Sequence, residues 1–421
     1  MFNFKKTRYL ALLVYMCGVV FVVYSIRFSQ SNDDIVYNTD EFEHTVKMFY
    51  EQRREWKTSN LGSLLYLNAS LEDLHIQRDE KQNYVILVWS YYEWLNSRHG
   101  VGFNKKRTDP FDDCSVKNCI LSDKNEDLAT ADAVLVHVQR GKIPGNEVRK
   151  QHQRWIFLTD ESPVNSFSLT SDKPTIEELA NVFNWSMNYR STSDIPVPYG
   201  RTVPFAKPLL PTLTASSVEE MIPHWSSKKT DVFITIMMSN CVNRRMDFIK
   251  EISTHIDIDT YGKCFEDESA KRCPGHFRSD CPLMSNYYFY LVLENAFCDE
   301  YMTEKIFYNA YYKGSIPVIS GPSKEDCERF LPPQSYLHVD DFASIKDLAE
   351  AIKDISGDVN KLLDYHVWRN YFEVKNEHGY FDSKSQHYCR VCEALNFNDR
   401  GKKIYGVEDL RPFFDTKYSC R

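Results

Sequence analysis

The sequence predicts an α/β fold with two domains of parallel β-sheet, preceded by an N-terminal membrane anchor and a stem. Short, continuous apolar runs recur along the chain with helical patterns between them, which is typical of parallel strands covered on both faces. The composition changes at Asn83, and residues 83–421 are too many for one ordinary hydrophobic core. An uncharged apolar stretch of 18 residues, 9–26, lies close to the N-terminus.

This apolar stretch is predicted to be a transmembrane signal anchor. Residues 1–8 form a short tail with three basic side chains (Lys5, Lys6 and Arg8), and the positive-inside rule places this tail in the cytosol. Residues 9–26 are near the lower limit of length for a spanning helix. The alternative is a cleaved signal peptide, but the stretch is longer than a usual signal-peptide core and has no clear A-x-A cleavage site.

Residues 27–82 are polar and charged, with a possible helix around Glu41–Trp56, and we interpret them as a stem that holds the domains off the membrane. The predicted boundaries that follow are 83–210 for a first α/β domain, 211–230 for a linker rich in Pro, Thr and Ser, 231–358 for a second α/β domain, and 359–421 for C-terminal helices and a disulfide-bonded tail.

The apolar runs predict the strands of both domains. In the first domain we expect strands at Tyr84–Trp89, Ala133–Val138 and Trp155–Leu158. In the second we expect them at Val232–Met237, Ile256–Asp259, Phe289–Leu293, Ile316–Ile319 and Tyr336–Val339. Helices are expected at Tyr301–Tyr312, Ser344–Ile355 and Val359–Tyr371.

Charge and cysteine content restrict the class of protein. The net charge is −8 with a pI of about 5.9, and the basic residues are scattered, so nothing supports nucleic-acid binding. Of the 12 cysteines, only Cys17 lies in the predicted anchor, and an odd number outside the cytosol implies at least one free thiol. For Cys389 and Cys392, disulfide bonds compete with a zinc site that includes His387, and an oxidising compartment favours disulfides.

The segment Tyr288–Ser323 carries the strongest functional signal. Its first strand ends at Glu294 and Asn295, a helical run with Lys305 near its start follows, and a second strand begins after Gly314. Ligands of open α/β sheets bind at the carboxyl ends of the strands, where a helix N-terminus and a lysine favour phosphate. The segment therefore predicts half of a nucleotide site, although no G-x-G-x-x-G or P-loop motif accompanies it.

The same segment closely resembles the signature of the α1,3-fucosyltransferases, which have a strand ending in E-N, then Y-x-T-E-K, then a G-x-x-P-V strand. Two further blocks resemble this family, E-S-P at 161–163 and F-N-W…Y-R…S-D-I…P-Y-G within Phe183–Gly200. The resemblance covers roughly Trp89 to Cys392. It implies the GT-B arrangement, in which two Rossmann-like α/β domains face each other across a cleft.

The resemblance also implies roles for individual residues. Glu161 would be the catalytic base, although its local sequence alone also fits an exposed loop carboxylate. Arg245 and Lys305 would hold the diphosphate of the donor. The other implied positions are Glu304 facing the reacting sugar or forming a salt bridge, Asn240 and Asn295 binding the donor, and Tyr301 shaping the donor pocket or simply packing in the core.

Three residues of the second block, Tyr189, Arg190 and Asp194, either line the cleft or fix a turn-rich loop. By resemblance, Cys114 and Cys119 would pair with Cys389 and Cys392, a connectivity that the sequence alone does not determine. The acceptor sequons at Asn68 and Asn184 are candidates for N-glycosylation.

We therefore expect a Golgi membrane protein with a lumenal catalytic domain. It would be an inverting α1,3-fucosyltransferase that moves L-fucose from GDP-β-L-fucose to the 3-hydroxyl of an N-acetylglucosamine on a glycoprotein N-glycan. The core and the antennae both remain possible acceptor positions, and the sequence does not indicate an oligomeric state. No cofactor is required in this hypothesis, although Mn²⁺ or Mg²⁺ could raise activity.

Two other functions compete with this one. The D-x-D sequence at Asp257 and Asp259 is the kind of motif that metal-dependent glycosyltransferases use to bind a cation and a diphosphate. Loss of all activity with a chelator would support that function. The other alternative is an inactive glycan-binding Golgi protein, which would bind GDP-fucose without transferring it.

Overall fold

The structure is a computed structural model that describes residues 42–76, 83–103, 105–112, 114–145, 149–273, 279–399, 401 and 403–421. The predicted cytoplasmic tail 1–8 and signal anchor 9–26 lie outside these residues. Within the described ranges, no helix combines the length and the apolar composition that crossing a membrane would take.

The first domain is built on a six-stranded parallel sheet. Its strands are β1 (Tyr84–Val88), β2 (Cys119–Ser122), β3 (Ala133–His137), β4 (Arg154–Thr159), β5 (Trp185–Asn188) and β6 (Ile195–Pro196). They lie in the order β2-β1-β3-β4-β5-β6, with every neighbouring pair parallel. The three predicted strands occupy its centre, which agrees with their continuous apolar sequences.

Both faces of this sheet are covered, partly by the end of the chain. On one face, Ile86, Leu135 and Ile156 pack with Val391 and Leu395 of a C-terminal helix, His387–Phe397. On the opposite face, the cluster contains Leu87, Val134, Phe157, Leu410 and Phe413, the last two from the helix Val407–Phe414. The C-terminal tail therefore completes the core of the first domain.

The second domain is a five-stranded parallel sheet made of β8 (Ile234–Met237), β9 (Ile258–Tyr261), β10 (Phe289–Leu293), β11 (Ile316–Ser320) and β12 (Leu337–His338). The order is β12-β11-β10-β8-β9, and Phe289 of β10 stands between Ile234 and Ile316 in the register. All five strands correspond to predicted apolar runs.

Helices cover this second sheet on both faces. Ile249 of the helix Asn243–Ile252 and Leu348 of the helix Ile345–Ser356 pack on one face. Ile306 of the helix Lys305–Tyr312, which has π-type hydrogen bonding, packs on the other. The predicted helix Val359–Tyr371 is divided into an α-helix, Val359–Asp364, and a short 3₁₀ helix.

A small antiparallel sheet lies between the domains. Its strands are β7 (Gly200–Pro204) and β13 (Phe372–Asn376), neither of which the apolar pattern predicts. After β7 the chain enters the second domain through residues 211–230, which include the helix Ala215–Met221. The chain thus crosses between the domains at β7 and crosses back at β13.

Part of the predicted stem belongs to the folded body. The helix Phe42–Glu51 buries Phe42 and Phe49, and the Phe49 ring lies 5.0 Å from that of Phe372 in β13. The Nε of Arg53 donates to the carbonyl of Arg329 at 2.8 Å. These apolar residues occupy one face of a short helix in a segment that is polar on average. Average polarity therefore did not indicate that this helix packs against the domains.

Five disulfide bonds connect the described cysteines. Two of them join Cys114 to Cys389 and Cys119 to Cys392, the partners that the family resemblance implies, so these thiols are not available to a zinc ion. Cys327 is a free, buried thiol, which agrees with the odd number of cysteines outside the predicted anchor. The remaining bonds are Cys241–Cys264, Cys273–Cys281 and Cys298–Cys420.

The two sequons differ in the structure. Asn68 is exposed, so its side chain is accessible. Asn184 is buried; its Oδ1 accepts from the Trp155 backbone N–H at 2.9 Å and its Nδ2 donates to the Lys403 carbonyl at 2.8 Å. A glycan on Asn184 would break these contacts, which join β4 to the C-terminal tail, so the structure favours Asn68 of the two candidate sites.

Candidate active site

A cavity of about 390 Å³ lies at the carboxyl ends of the strands, between the two domains. Residues that the sequence analysis named from distant parts of the chain line it together: Glu161, Asn240, Arg245, Asn295, Tyr301, Glu304 and Lys305. Glu161 comes from the first domain and the other six from the second. A ligand in this cavity would therefore contact both domains.

Glu161 follows β4 directly, and its carboxylate Oε2 accepts a hydrogen bond from the Tyr301 hydroxyl at 3.1 Å. Burial, together with the negative charge of neighbouring Asp160, raises the pKa of Glu161 to about 7. A carboxylate with a pKa near neutral pH is well suited to accept a proton from a substrate.

Asp160, next to Glu161, has a different environment. It is buried, with its Oδ2 2.9 Å from His378 Nε2 and 3.3 Å from the Arg98 guanidinium. Although burial opposes ionisation, Arg98 and His378 hold the pKa of Asp160 well below its usual range. Asp160 thus serves as a fixed negative charge beneath Glu161.

Behind Asp160 lies a group of potential metal ligands among the described residues: His99, Asp160 and His387, whose ligand atoms are within 4.8 Å of one another. The rings of His99 and His387 stack with centroids 3.7 Å apart, so one ion cannot lie in the plane of both. The adjacent Arg98 guanidinium also repels a cation. This group does not fit a metal site.

Lys305 is held by a carboxylate that the sequence analysis recognised only as a strand end. Glu294, buried at the end of β10, accepts from Lys305 Nζ at 3.0 Å and from the Thr303 backbone N–H at 2.9 Å. Glu304 lies 3.3 Å from the same ammonium. The Lys305 ammonium is therefore held between two carboxylates at the start of the helix.

Arg245 supplies a second positive charge. It is buried in the helix Asn243–Ile252, where its Nε donates to the Glu294 carbonyl and its NH1 to the Asn240 carbonyl, both at 3.1 Å. Its NH2 and the Asn295 side-chain oxygen are buried without a hydrogen-bond partner in the described part of the chain. Unsatisfied buried polar atoms lining a cavity indicate positions for ligand contacts.

The three residues of the second family block do not line the cavity. Tyr189 packs against Tyr301, with ring centroids 5.1 Å apart, and so supports a residue that does. Arg190 lies 3.8 Å from Asp299. Asp194 accepts from Ser186, Tyr405 and Lys403 and fixes the loop after β5 to the C-terminal tail, so it has the structural role.

The D-x-D carboxylates also lie outside the cavity lining. Asp257 is exposed, and Asp259 on the edge strand β9 is 2.5 Å from Lys229 Nζ and hydrogen-bonded to the Tyr287 hydroxyl. The Asp259 carboxylate therefore already has a cationic partner and a hydrogen-bond donor, and neither Asp257 nor Asp259 faces the cavity.

The cavity lining also includes residues to which the sequence analysis gave no role, among them Tyr199, Tyr380 and Lys263. Tyr199 donates to the Asp160 carbonyl at 2.8 Å, and Tyr380 packs near Tyr199. Lys263 is brought to the rim beside Asn240 by the Cys241–Cys264 disulfide. Tyr199 is the tyrosine of P-Y-G in the second family block. No local pattern identifies Tyr380 and Lys263, because only the packing of separate loops brings them to the cavity.

Comparison with known proteins places the chain among fucosyltransferases. Residues 81–200 match the family model "Fucosyltransferase, N-terminal", and residues 225–411 match "Glycosyltransferase family 10 (fucosyltransferase) C-term". A 4-galactosyl-N-acetylglucosaminide 3-alpha-L-fucosyltransferase of Pan troglodytes is 32% identical over 294 residues, 67% of this chain and 72% of the relative. Alpha-(1,3)-fucosyltransferase 7 of Rattus norvegicus is 30% identical over 304 residues, 70% of this chain and 72% of the relative.

The Homo sapiens 3-galactosyl-N-acetylglucosaminide 4-alpha-L-fucosyltransferase is 31% identical over 299 residues, 69% of this chain and 74% of the relative. A crystal structure of an alpha1,3-fucosyltransferase with GDP-fucose aligns with a TM-score of 0.45 at 17% identity, over 81% of this chain and 98% of that one. That structural similarity is low, and the assignment rests on the sequence relatives and family models. The chain belongs to the fucosyltransferases of glycosyltransferase family 10.

Proposed function

We propose that the protein is an inverting α1,3-fucosyltransferase that transfers L-fucose from GDP-β-L-fucose to the 3-hydroxyl of an N-acetylglucosamine on a glycoprotein glycan. The observation that carries this proposal is the composition of the cavity, where a carboxylate with a raised pKa comes from one domain and two cationic side chains come from the other. The names of the relatives support fucose as the transferred sugar, and most of them support an α1,3-linkage.

Glu161 would act as the base. Its ionised Oε2 takes the proton of the acceptor hydroxyl while the hydroxyl oxygen forms a bond to the anomeric carbon of fucose. The bond from that carbon to the β-phosphate oxygen breaks, and its electron pair leaves with GDP. Attack from the face opposite GDP converts the β-linkage of the donor into an α-linkage.

Arg245 and Lys305 would stabilise the departing diphosphate. Arg245 has a buried NH2 without a partner in the described residues, and Lys305 is fixed in place by Glu294. Fixed positive groups aimed at developing negative charge lower the barrier, because they need no reorganisation during the reaction. A divalent cation could add to this effect, but these steps do not require one.

We also propose a type II orientation in the Golgi membrane, with the catalytic domains in the lumen. The positive residues before the apolar stretch 9–26 support the orientation. The disulfides among the described cysteines fit an oxidising compartment.

The alternative functions have less support. A metal-dependent transferase that uses Asp257 and Asp259 is disfavoured because neither residue lines the cavity and because Asp259 pairs with Lys229. An inactive binding protein would not need Glu161 to keep its position and its raised pKa.

The test uses the secreted portion of the chain from Ser29 onward, incubated with GDP-fucose in EDTA. The acceptors are a trimmed N-glycan core and an antenna ending in N-acetyllactosamine. Mass spectrometry and NMR should show one α-linked fucose on the 3-hydroxyl of one N-acetylglucosamine, and its position identifies the acceptor. A β-linked product, or transfer only after Mn²⁺ is restored, would contradict the proposal.

A further inference from the structure

A second and larger cavity, about 940 Å³, adjoins the catalytic one. Phe381 lines both cavities, so the two spaces meet at its side chain. None of the steps proposed above uses the larger cavity. We call it the aromatic groove and define it by Tyr308, Tyr312, Phe381, Asp382, Lys375 and Asn376.

One wall of the groove is a continuous aromatic surface. Tyr308 and Tyr312 stack with ring centroids 4.8 Å apart and an interplanar angle of 22°, and Tyr308 lies 4.7 Å from Phe381. Tyr312 is 54% exposed, whereas Tyr308 and Phe381 are buried. The three rings therefore form one stack, which begins at Phe381 beside the catalytic cavity and presents the Tyr312 ring to solvent.

The turn that carries Phe381 is held in an uncommon conformation. Phe381 and Asp382 both have left-handed backbone angles, with φ of 52° and 64°, and Gly379, two residues before Phe381, has φ 75°. Such an angle is unfavourable for a phenylalanine, and residues held in it concentrate at ligand sites. Here these angles fix Phe381 at the junction of the two cavities.

The opposite wall and rim are polar and hydrogen-bonding. Lys375 and Asn376 come from β13, and Asp382 pairs with Lys106 across the opening. Aromatic faces next to mixed donors and acceptors complement a sugar ring, which has an apolar C–H face and a polar hydroxyl edge. A nucleotide is a poorer fit, because the rim carries carboxylates as well as amines.

From this geometry we infer that the aromatic groove binds the sugar residues of the acceptor glycan that lie beyond the one receiving fucose. The inference rests on the proposed function, because it takes Glu161 as the point where the acceptor hydroxyl reacts. A glycan with its reacting sugar in the catalytic cavity would pass Phe381 and lay its next sugar on the exposed ring of Tyr312, which Tyr308 supports from behind. The groove would then determine which glycans are accepted.

The experiment compares the lumenal protein with Tyr312→Ala, which removes the exposed ring. Tyr418→Ala is the matched control, since Tyr418 is 60% exposed and lies outside the groove. Tyr312→Phe keeps the ring and should retain parental behaviour. Thermal unfolding of each variant shows whether the fold is intact.

The first measurement is saturation-transfer NMR on a biantennary N-glycan in the presence of GDP, which requires no turnover. We expect the parent and Tyr418→Ala to saturate several consecutive sugar residues. Tyr312→Ala should lose at least half of the saturation on the residues outside the catalytic cavity. Equal saturation patterns in the parent and Tyr312→Ala would overturn the inference, whether or not the parent transfers fucose.

The second measurement is KM for the long glycan and for the disaccharides N-acetyllactosamine and chitobiose. Tyr312→Ala should raise the ratio of the long-acceptor KM to the short-acceptor KM at least fivefold, and an unchanged ratio would overturn the inference. A parent that binds the glycan but transfers no fucose would contradict the proposed function alone.

Discussion

At the scale of single residues, neighbouring side chains set the charge of Glu161. Burial disfavours the carboxylate form, while the Tyr301 hydroxyl, 3.1 Å away, donates to it and favours it. The strand ends were predictable places for a site, but the choice of Glu161 came from the family resemblance, because its local sequence also fits a loop carboxylate. The raised pKa was not, because it arises from packing between two domains.

Tyr301→Phe tests this balance. Loss of a hydrogen bond that favours the ionised carboxylate should raise the pKa of Glu161, so the rising limb of kcat/KM against pH should move upward from about 7. A shift of about one pH unit is expected, since one unit corresponds to about 1.4 kcal/mol. The control is Tyr199→Phe, whose hydroxyl donates to the Asp160 carbonyl instead. A downward shift in Tyr301→Phe would refute the assignment.

Arg245 and Arg244 provide a matched pair for the diphosphate contact. Arg245 lines the catalytic cavity, whereas the Arg244 guanidinium lies over the Phe297 ring at 3.5 Å and does not. Arg245→Ala should weaken GDP binding about 10- to 100-fold, as expected for charge-assisted hydrogen bonds to phosphate. Arg244→Ala should change it less than about twofold. Calorimetric titration with GDP measures both, and equal losses would reject the assignment of Arg245.

At the scale of secondary-structure elements, the continuous apolar runs identified the inner strands of both sheets. The strands that escaped prediction are short and polar or lie at sheet edges. β5, for example, contains Ser186 and Asn188, whose polar side chains are buried with partners from Asp194, Tyr405 and Thr159. A hydrophobicity pattern cannot show such strands, because tertiary hydrogen bonds compensate for burying them.

The helix Phe42–Glu51 offers a test of where the folded body begins. Phe49 is 3% exposed against β13, whereas Met48 beside it is 41% exposed. Phe49→Ala should lower the free energy of unfolding by about 3–5 kcal/mol, as for other buried phenylalanines. Met48→Ala should change it by less than about 0.5 kcal/mol. Urea denaturation distinguishes the two, and similar small effects would mean that this helix is part of a detached stem.

At the scale of the whole molecule, the C-terminal end of the chain returns to the first domain and packs against its sheet. The C-terminal helices complete the core of the first domain, and two parallel disulfides fix them there, with sequence separations of 275 and 273 residues. Because each bond closes nearly the same loop, either one alone preserves most of the entropic constraint on the unfolded chain.

The loss of one of these two disulfides should therefore lower the free energy of unfolding much less than the subsequent loss of the other. Replacing Cys119 and Cys392 by serine should lower the free energy of unfolding by about 2–3 kcal/mol. The Cys114–Cys389 bond still closes the long loop, and only the short loop through residues 114–119 and 389–392 opens. Replacing Cys114 and Cys389 in addition should cost about 5 kcal/mol more, because the long loop then opens. Urea denaturation of the parent, of the variant lacking one disulfide and of the variant lacking both measures the two losses of stability. Equal losses would argue against two disulfides that close nearly the same loop.

The central claim is that a base from the first domain acts on an acceptor beside a donor held by the second. Glu161→Gln tests it most directly, because the amide keeps the size of the side chain but cannot accept the proton. We would measure kcat/KM for fucosyl transfer together with the dissociation constant of GDP-fucose. The account predicts a fall in kcat/KM of about 10²- to 10⁴-fold with donor affinity within about threefold of the parent. Transfer within a few-fold of the parental rate would show that Glu161 is not the base.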